Sequence, residues 1–338
     1  MNRKVRDLIA DGSIGDLLNI QHLEPVGATH FAHSYVRGNW HSEAQSTFSL
    51  MAKSCHDIDL LSYWMDAART TPKMESEVAA GPTSNPVVSV SSFGSLQHFN
   101  PRHKPATATS RCMTCPTAVE RNCTYSAKRI YLDPLTTPAT VPASAWKPNY
   151  LALVDTSVPD IENITEALHN GPYGLCVYSG ANDVMDNQVV NLQYAQGQTA
   201  SFSMVATTSL ICQRQTRVFG SDGEIECDGH SVTLRRFREG SVQRFEPLEE
   251  SGADVGRLKG HSGADFFLVS SFIAAVRSRA QGSSSPAVSS PSASSVSAIT
   301  TGPEQSLVSH QIVFAAEEAR KQNRVVNMQE WIAAQQAK

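Results

Sequence analysis

The feature that most limits what this chain can fold into is the density of short strands between residues 187 and 236. Val189-Val190-Asn191-Leu192-Gln193-Tyr194 alternates with period two, Gly197 turns, and Thr199-Ala200-Ser201-Phe202-Ser203-Met204-Val205 returns as a hairpin partner. Arg217-Val218-Phe219-Gly220, Glu224-Ile225-Glu226-Cys227 and Ser231-Val232-Thr233-Leu234-Arg235 follow, separated by Ser221-Asp222-Gly223 and Asp228-Gly229. A parallel pair needs a crossover of a dozen residues or more, and there is no room for one here. The spacing predicts an α+β fold on an open, mainly antiparallel sheet with helices packed on one face.

Strands are also expected at Leu17–Leu23, Val87–Phe93 and Gly174–Tyr178, with a short one at Val325-Val326. Helical spacing appears at Val5, Leu8 and Ile9, closed by Gly12, and over about 47–65 through Leu50, Leu60, Leu61 and Trp64. A helix over about 263–279 puts Phe266, Val269, Ile273 and Val276 on one face, with Ser262 and Asp265 resembling a capping box. Further helices are expected at about 304–321 and 328–338. Residues 26–40 give no clear period. Residues 280–303 are Ser- and Pro-rich and read as a flexible insertion. The rest, 1–279 and 304–338, reads as one domain.

The 338 residues carry 28 Lys+Arg against 32 Asp+Glu, a formal charge of −4. That balance gives no basic footprint for nucleic acid. No apolar run approaches the roughly 18–20 residues of a membrane span, and the charged start lacks the apolar stretch of a secretion signal. The expectation is a cytoplasmic protein. Seven cysteines, an odd number without a secretion signal, read as reduced thiols. No Gly-x-Gly-x-x-Gly follows a strand, no Walker loop is present, and no run alternates strands with crossover helices. The chain is therefore expected to hold no dinucleotide by itself.

Two constellations carry chemistry. On the 47–65 helix, Lys53 precedes His56 by three residues and Asp57 by four, so the three share one face that continues into Leu60 and Trp64. A histidine beside a carboxylate can move a proton near pH 7. The alternative is an exposed ion pair, worth only ~0.3–0.5 kcal/mol. The second is Cys112-x-x-Cys115 with Cys123 seven residues beyond. A Cys-x-x-Cys turn points two thiolates at one ion, so these three are candidate zinc ligands, with His98, His103 or another cysteine as the fourth. The alternatives are a redox pair and three reduced loop cysteines. Cys55, beside His56, reads as a packing residue rather than a nucleophile.

Gly12-Ser13-Ile14-Gly15-Asp16-Leu17, Ser34-Tyr35-Val36-Arg37-Gly38-Asn39-Trp40 and Lys53-Ser54-Cys55-His56-Asp57-Ile58-Asp59-Leu60-Leu61 resemble the glucose–fructose oxidoreductase / inositol dehydrogenase / MocA family. So do Gly260-His261-Ser262-Gly263-Ala264-Asp265-Phe266 and Val313–Arg320. The resemblance covers nearly the whole chain outside the Ser-rich tract. It implies the family's second domain, which binds substrate and mediates association, without the preceding Rossmann domain. The family's Glu-Lys-Pro motif, whose lysine is catalytic, has no counterpart here.

The resemblance further implies an NAD- or NADP-dependent oxidoreductase acting on a sugar, polyol or related hydroxyl compound, inactive alone because the cofactor domain is absent. His56 then stands where the family's histidine acts on the substrate hydroxyl. Ala52 replaces the Asp that inositol dehydrogenases carry four residues earlier, and Lys53 is expected to stand in for it. Arg37, Asn39, Trp40 and His261 are expected to line the substrate pocket, and the sheet face to mediate homo-oligomerisation. The competing expectation is a non-catalytic binding module or a zinc-stapled interaction domain of the same descent.

Overall fold

The computed structural model describes residues 1–68, 85–138, 146–154, 158–254, 263–280 and 302–337. A nine-stranded sheet runs through the molecule. Its strands are β1 (Leu17–Pro25), β2 (Val87–Ser95), β3 (Asn187–Tyr194), β4 (Thr199–Val205), β5 (Gln215–Gly220), β6 (Gly223–Cys227), β7 (Val232–Arg236), β8 (Ser241–Phe245) and β9 (Val326–Asn327). The spatial order is β8-β7-β6-β5-β1-β4-β3-β2-β9. Every pairing is antiparallel except β1 with β4. The expected α+β class and mainly antiparallel sheet are what is found.

Alternation sorts the faces. Ile20, His22 and Glu24 of β1 point the same way and are buried, beside Ala200, Phe202 and Met204 of β4. Two helices cover this inner face: α2 (Ser49–Met65) and α5 (Pro303–Gln322), after α1 (Asn2–Ala10) at the start of the chain. The buried stripe of α2 runs through Leu50, Lys53, Ser54, Asp57, Ile58, Leu61, Trp64 and Met65, a helical period with two charges in its middle. α6 (Met328–Gln336) closes the described chain.

The helix expected at 263–279 forms as α4 (Ala264–Ala280). It does not bury its apolar face in the described structure: Val269, Phe272, Ile273 and Val276 remain exposed, and Arg3 reaches Ser271 Oγ at 3.0 Å. Its Ser262 cap lies outside the described residues, as does nearly all of the 280–303 tract. The expected strand at Gly174–Tyr178 is absent: Pro172–Gly174 is a 3₁₀ turn and Leu175 makes one isolated bridge to Arg111. These residues close an insertion between β2 and β3 that packs its own small core of Ile130, Tyr131, Ile164, Leu168 and Tyr173. That core includes α3 (Ile161–Asn170), which begins at a reciprocal Asp160–Asn163 cap.

The unassigned stretch 26–40 contains a π-helical segment, Ala32–Arg37, every residue of which is buried. Gly27 caps the helical turn Ala28–Phe31 that leads into it, at φ 95°, where a Cβ would lie 2.5 Å from Ile211 Cγ1. Among the described residues, no helix is long and apolar enough to cross a membrane. The sheet's other face is polar. A groove of about 390 Å³ on it is lined by Asn19, Ser89, Ser91, Asn191, Thr199 and Ser201, among others. It lies across the sheet from the charged residues of α2 and shares none of them.

Candidate active site

The charges buried in α2 meet charges from β1 and from the turn before β5. Lys53 Nζ lies 3.0 Å from Glu24 Oε1 and donates to Cys212 Sγ at 3.0 Å. Arg214, in the turn before β5, spans the gap to the next helical level. Its Nε is 3.1 Å from Glu24 Oε2 and 2.7 Å from Asp57 Oδ1, and one terminal nitrogen donates to Cys212 O at 3.1 Å. Behind the carboxylate, His22 Nε2 is 3.2 Å from Asp57 Oδ1 and its Nδ1 is 2.7 Å from Thr216 Oγ1. Phe202 stacks on the His22 ring and Trp64 meets it edge-on. At the outer end, His56 Nε2 is 3.4 Å from Asp57 Oδ2 and accepts from Arg214.

Burial differs sharply across this cluster. Glu24 and Asp57 are fully buried, Lys53 is 9% exposed, and the His56 side chain is 53% exposed. Removing water from two carboxylates and two cations is expensive unless they pair closely. Glu24 is within ion-pair distance of both cations, yet neither of its oxygens receives a well-directed hydrogen bond among the described residues. The pairing there is by charge and proximity rather than by aligned donors. Asp57 Oδ2 is likewise buried without a hydrogen-bond donor.

These surroundings set the protonation states. Burial works to raise the Asp57 carboxyl, but the hydrogen bond from His22 and the charge of Arg214 outweigh it and hold it well below the usual carboxylate range. Burial works to lower Lys53, and Glu24 and Cys212 reverse that, so it stays an ammonium. For His56, burial lowers the imidazole; Asp57 opposes this while Arg214 and Lys53 assist it. Its resting form near neutral pH is the free base. His30, close to Lys53, and His33 are both held at about 4 by burial, and both rings pack against Trp146.

The sequence-predicted residues separate into groups. Lys53, His56 and Asp57 do come together. Lys53 and Asp57 are not paired with each other but with Glu24 and Arg214. The side chain of Trp40 is 43% exposed and stacks one face on Tyr35, leaving an aromatic surface to solvent; Asn39 beside it is exposed. Arg37 departs from the expectation that it lines a pocket. It is 2% exposed and its guanidinium ties Leu175 O, Tyr125 O and Cys112 Sγ, fastening the insertion to the π-helical segment. His261 lies outside the described residues.

The expected zinc site is not assembled as it stands. Cys112 is buried against Arg37, and among the described residues no three His, Cys, Asp or Glu side chains converge to hold a metal ion. Nor does the Gly12–Gly15 turn form a dinucleotide cradle. The Gly12–Gly15 turn follows the end of α1 rather than opening a helix, so no helix N-terminus faces it. A Cβ on Gly15 would lie 2.1 Å from Ser221 Oγ, which shows that the turn closes on the β5–β6 hairpin and leaves no phosphate cradle.

Sequence reasoning missed His22, Glu24, Cys212, Arg214 and Thr216. A signal existed for the first two, since both fall on the Ile20 side of a period-two strand. Arg214 offered none, being 157 residues from Asp57 in a turn.

This α+β architecture, with one parallel pair at the centre of an otherwise antiparallel sheet, is similar in fold to solved oxidoreductase structures. The chain is similar to YteT of Bacillus subtilis (strain 168), an inferred oxidoreductase, at 24% identity over 279 residues, covering 79% of this chain and 56% of YteT. Among solved structures it is similar to an Agrobacterium radiobacter oxidoreductase in complex with NAD+, L-tartaric acid and magnesium. That match has TM-score 0.52 and 10% identity, over 97% of this chain and 62% of the other. It is also similar to a levoglucosan dehydrogenase in complex with NADH and levoglucosan, at TM-score 0.52 and 11% identity, over 96% of this chain and 62% of the other. The chain thus spans somewhat over half the length of the proteins it resembles. No family profile matches it.

Proposed function

We propose that this chain supplies the substrate-side domain of an NAD(P)-dependent oxidoreductase, acting on a hydroxyl group of an uncharged sugar or polyol. The observation that carries the reading is the charge balance beneath His56. Two carboxylates, Glu24 and Asp57, meet two cations, Lys53 and Arg214. No surplus positive charge is left to hold an acid, while a half-exposed imidazole and the edge of an ammonium can address a neutral hydroxyl. Of the two ligands in the similar structures, levoglucosan is of this uncharged kind and L-tartaric acid is not.

The chain's own contribution is to bind the hydroxyl compound and to manage its proton. Lys53, fixed by Glu24, orients the hydroxyl; His56 exchanges the proton; Asp57 stabilises the imidazolium that results. Trp40, Asn39 and His261 are assigned as sugar-binding groups on the strength of the resemblance. The nicotinamide is assigned to no residue described here, and the chain alone is expected to be inactive. The polar sheet face, where Phe93 and Val189 stand exposed on paired strands, is assigned to a second copy of the chain.

Saturation-transfer NMR of this chain with a panel of D-glucose, myo-inositol, levoglucosan, L-tartrate and NADH tests the reading. Signals from at least one uncharged polyol, weakened by Lys53→Met, and none from L-tartrate or NADH are expected. Binding of tartrate in preference to every polyol, or of no polyol at all, overturns it.

A further inference from the structure

We propose that Arg214 and Asp57 compete for the Nε2 atom of His56, and that Arg214 holds it in the resting protein and so places the ring proton on Nδ1. Arginine has five N–H donors and no acceptor. A ring nitrogen bonded to a guanidinium nitrogen must therefore present its lone pair. His56 Nε2 is so bonded to Arg214, which leaves the proton of the neutral ring on Nδ1. That nitrogen makes no hydrogen bond among the described residues and belongs to a half-exposed ring.

The rival partner is in place. Asp57 Oδ2 lies 3.4 Å from the same Nε2 and is a buried carboxylate oxygen that receives no hydrogen bond. Leaving such an oxygen unmet is unfavourable, and more so for a charged group. A proton on Nε2 would satisfy it. Arg214 is kept from yielding by its other anchors: Asp57 Oδ1 at 2.7 Å, Glu24 Oε2 at 3.1 Å and Cys212 O at 3.1 Å. The charged groups facing His56 are then Arg214 and Lys53, which favour the neutral ring, and Asp57 and Glu24, which favour the protonated one.

The consequence depends on the proposed function; the tautomer does not. With Arg214 on Nε2, His56 offers substrate an N–H donor at Nδ1. With Nε2–H turned to Asp57, Nδ1 carries the lone pair. When a substrate O–H then breaks, its proton forms the Nδ1–H bond, and the imidazolium keeps Nε2–H on the carboxylate. Arg214 is thus a positioning residue that selects between a donor and an acceptor form of one histidine.

The test is two-bond ¹⁵N–¹H correlation of the histidine side chains in ¹⁵N-labelled protein above pH 7, with His56 assigned through His56→Gln. Wild type is expected to show the Nδ1–H tautomer. Arg214→Met is expected to convert it to Nε2–H and to raise the His56 titration midpoint, since the guanidinium that disfavours the protonated ring is gone. An Nε2–H tautomer in wild type overturns the proposal, as does the same tautomer in both proteins. Should Arg214→Met fail to fold, the wild-type spectrum decides alone. Absence of polyol binding would leave the tautomer result standing, so the two readings fail separately.

Discussion

Lys53 and Glu24 meet at 3.0 Å across the interface between α2 and β1, with the carboxylate fully buried. Breaking a buried pair by removing one partner typically costs about 3–5 kcal/mol, because the remaining charge stays buried and unpaired. Glu24→Ala should therefore lower stability by about that amount in urea denaturation. The exposed Arg244–Glu246 pair provides the control. Glu246→Ala should cost no more than about 1 kcal/mol. Equal effects of the two substitutions would mean that the α2–β1 pairing contributes nothing beyond a surface contact.

Acid should destabilise the protein in two stages. His30 and His33 have folded-state values of about 4 against an ordinary 6.5. Below pH 6.5 the unfolded chain binds protons that the folded chain refuses, so stability is lost as pH falls from about 6.5 towards 4. Asp57, depressed when folded, contributes stability above its ordinary value near 3.8, and this is lost at still lower pH. Urea midpoints measured at pH 7, 6 and 5 should decline, and His30→Gln with His33→Gln should flatten the decline. A midpoint independent of pH over this interval would show both rings to be solvated.

Much of the fold could be read from the chain, but much less of the site. Strands β3 to β7 alternate cleanly because each has one face in the core, and alternation survives in sequence as pattern. The segment Gly174–Tyr178 misleads for the same reason. Val177 and Tyr178 are buried against a core without pairing in the sheet, so apolar spacing reports burial and not hydrogen bonding. The π-helical run Ala32–Arg37 is buried on all sides and has no polar face to set a period. α3 went unread, although Ile164 and Leu168 share its buried face and Asp160 caps its start. In the site, Lys53 and Asp57 suggested an i, i+4 pair because local spacing is all that a sequence shows. Their true partners come from β1 and from the turn before β5, brought there by the sheet order.

The sheet face should decide the oligomeric state. Phe93 and Val189 face each other across β2 and β3 and are both exposed on the polar outer face. If a second copy covers them, Phe93→Glu should convert an oligomer to a monomer in multi-angle light scattering while leaving the circular dichroism unchanged. An unaltered mass for an oligomeric protein would place its interface elsewhere.

Arg37 and Trp40, three residues apart, should respond in opposite ways. Arg37 is buried, with three partners contributed by the insertion. Arg37→Met leaves Leu175 O and Tyr125 O without their donor, at roughly 1–3 kcal/mol for each buried group. It should lower the unfolding midpoint clearly while changing polyol binding, at temperatures where the variant is folded, by no more than about twofold. Trp40 gives one face to Tyr35 and the other to solvent. Trp40→Ala should cost little stability, about 1 kcal/mol for the lost aromatic contact, but should weaken saturation transfer to any bound polyol severalfold. Melting curves and NMR titrations on the two variants separate the roles. A Trp40→Ala protein that binds polyol as wild type does would remove the indole from the site, and an Arg37→Met protein as stable as wild type would return the guanidinium to the list of substrate contacts.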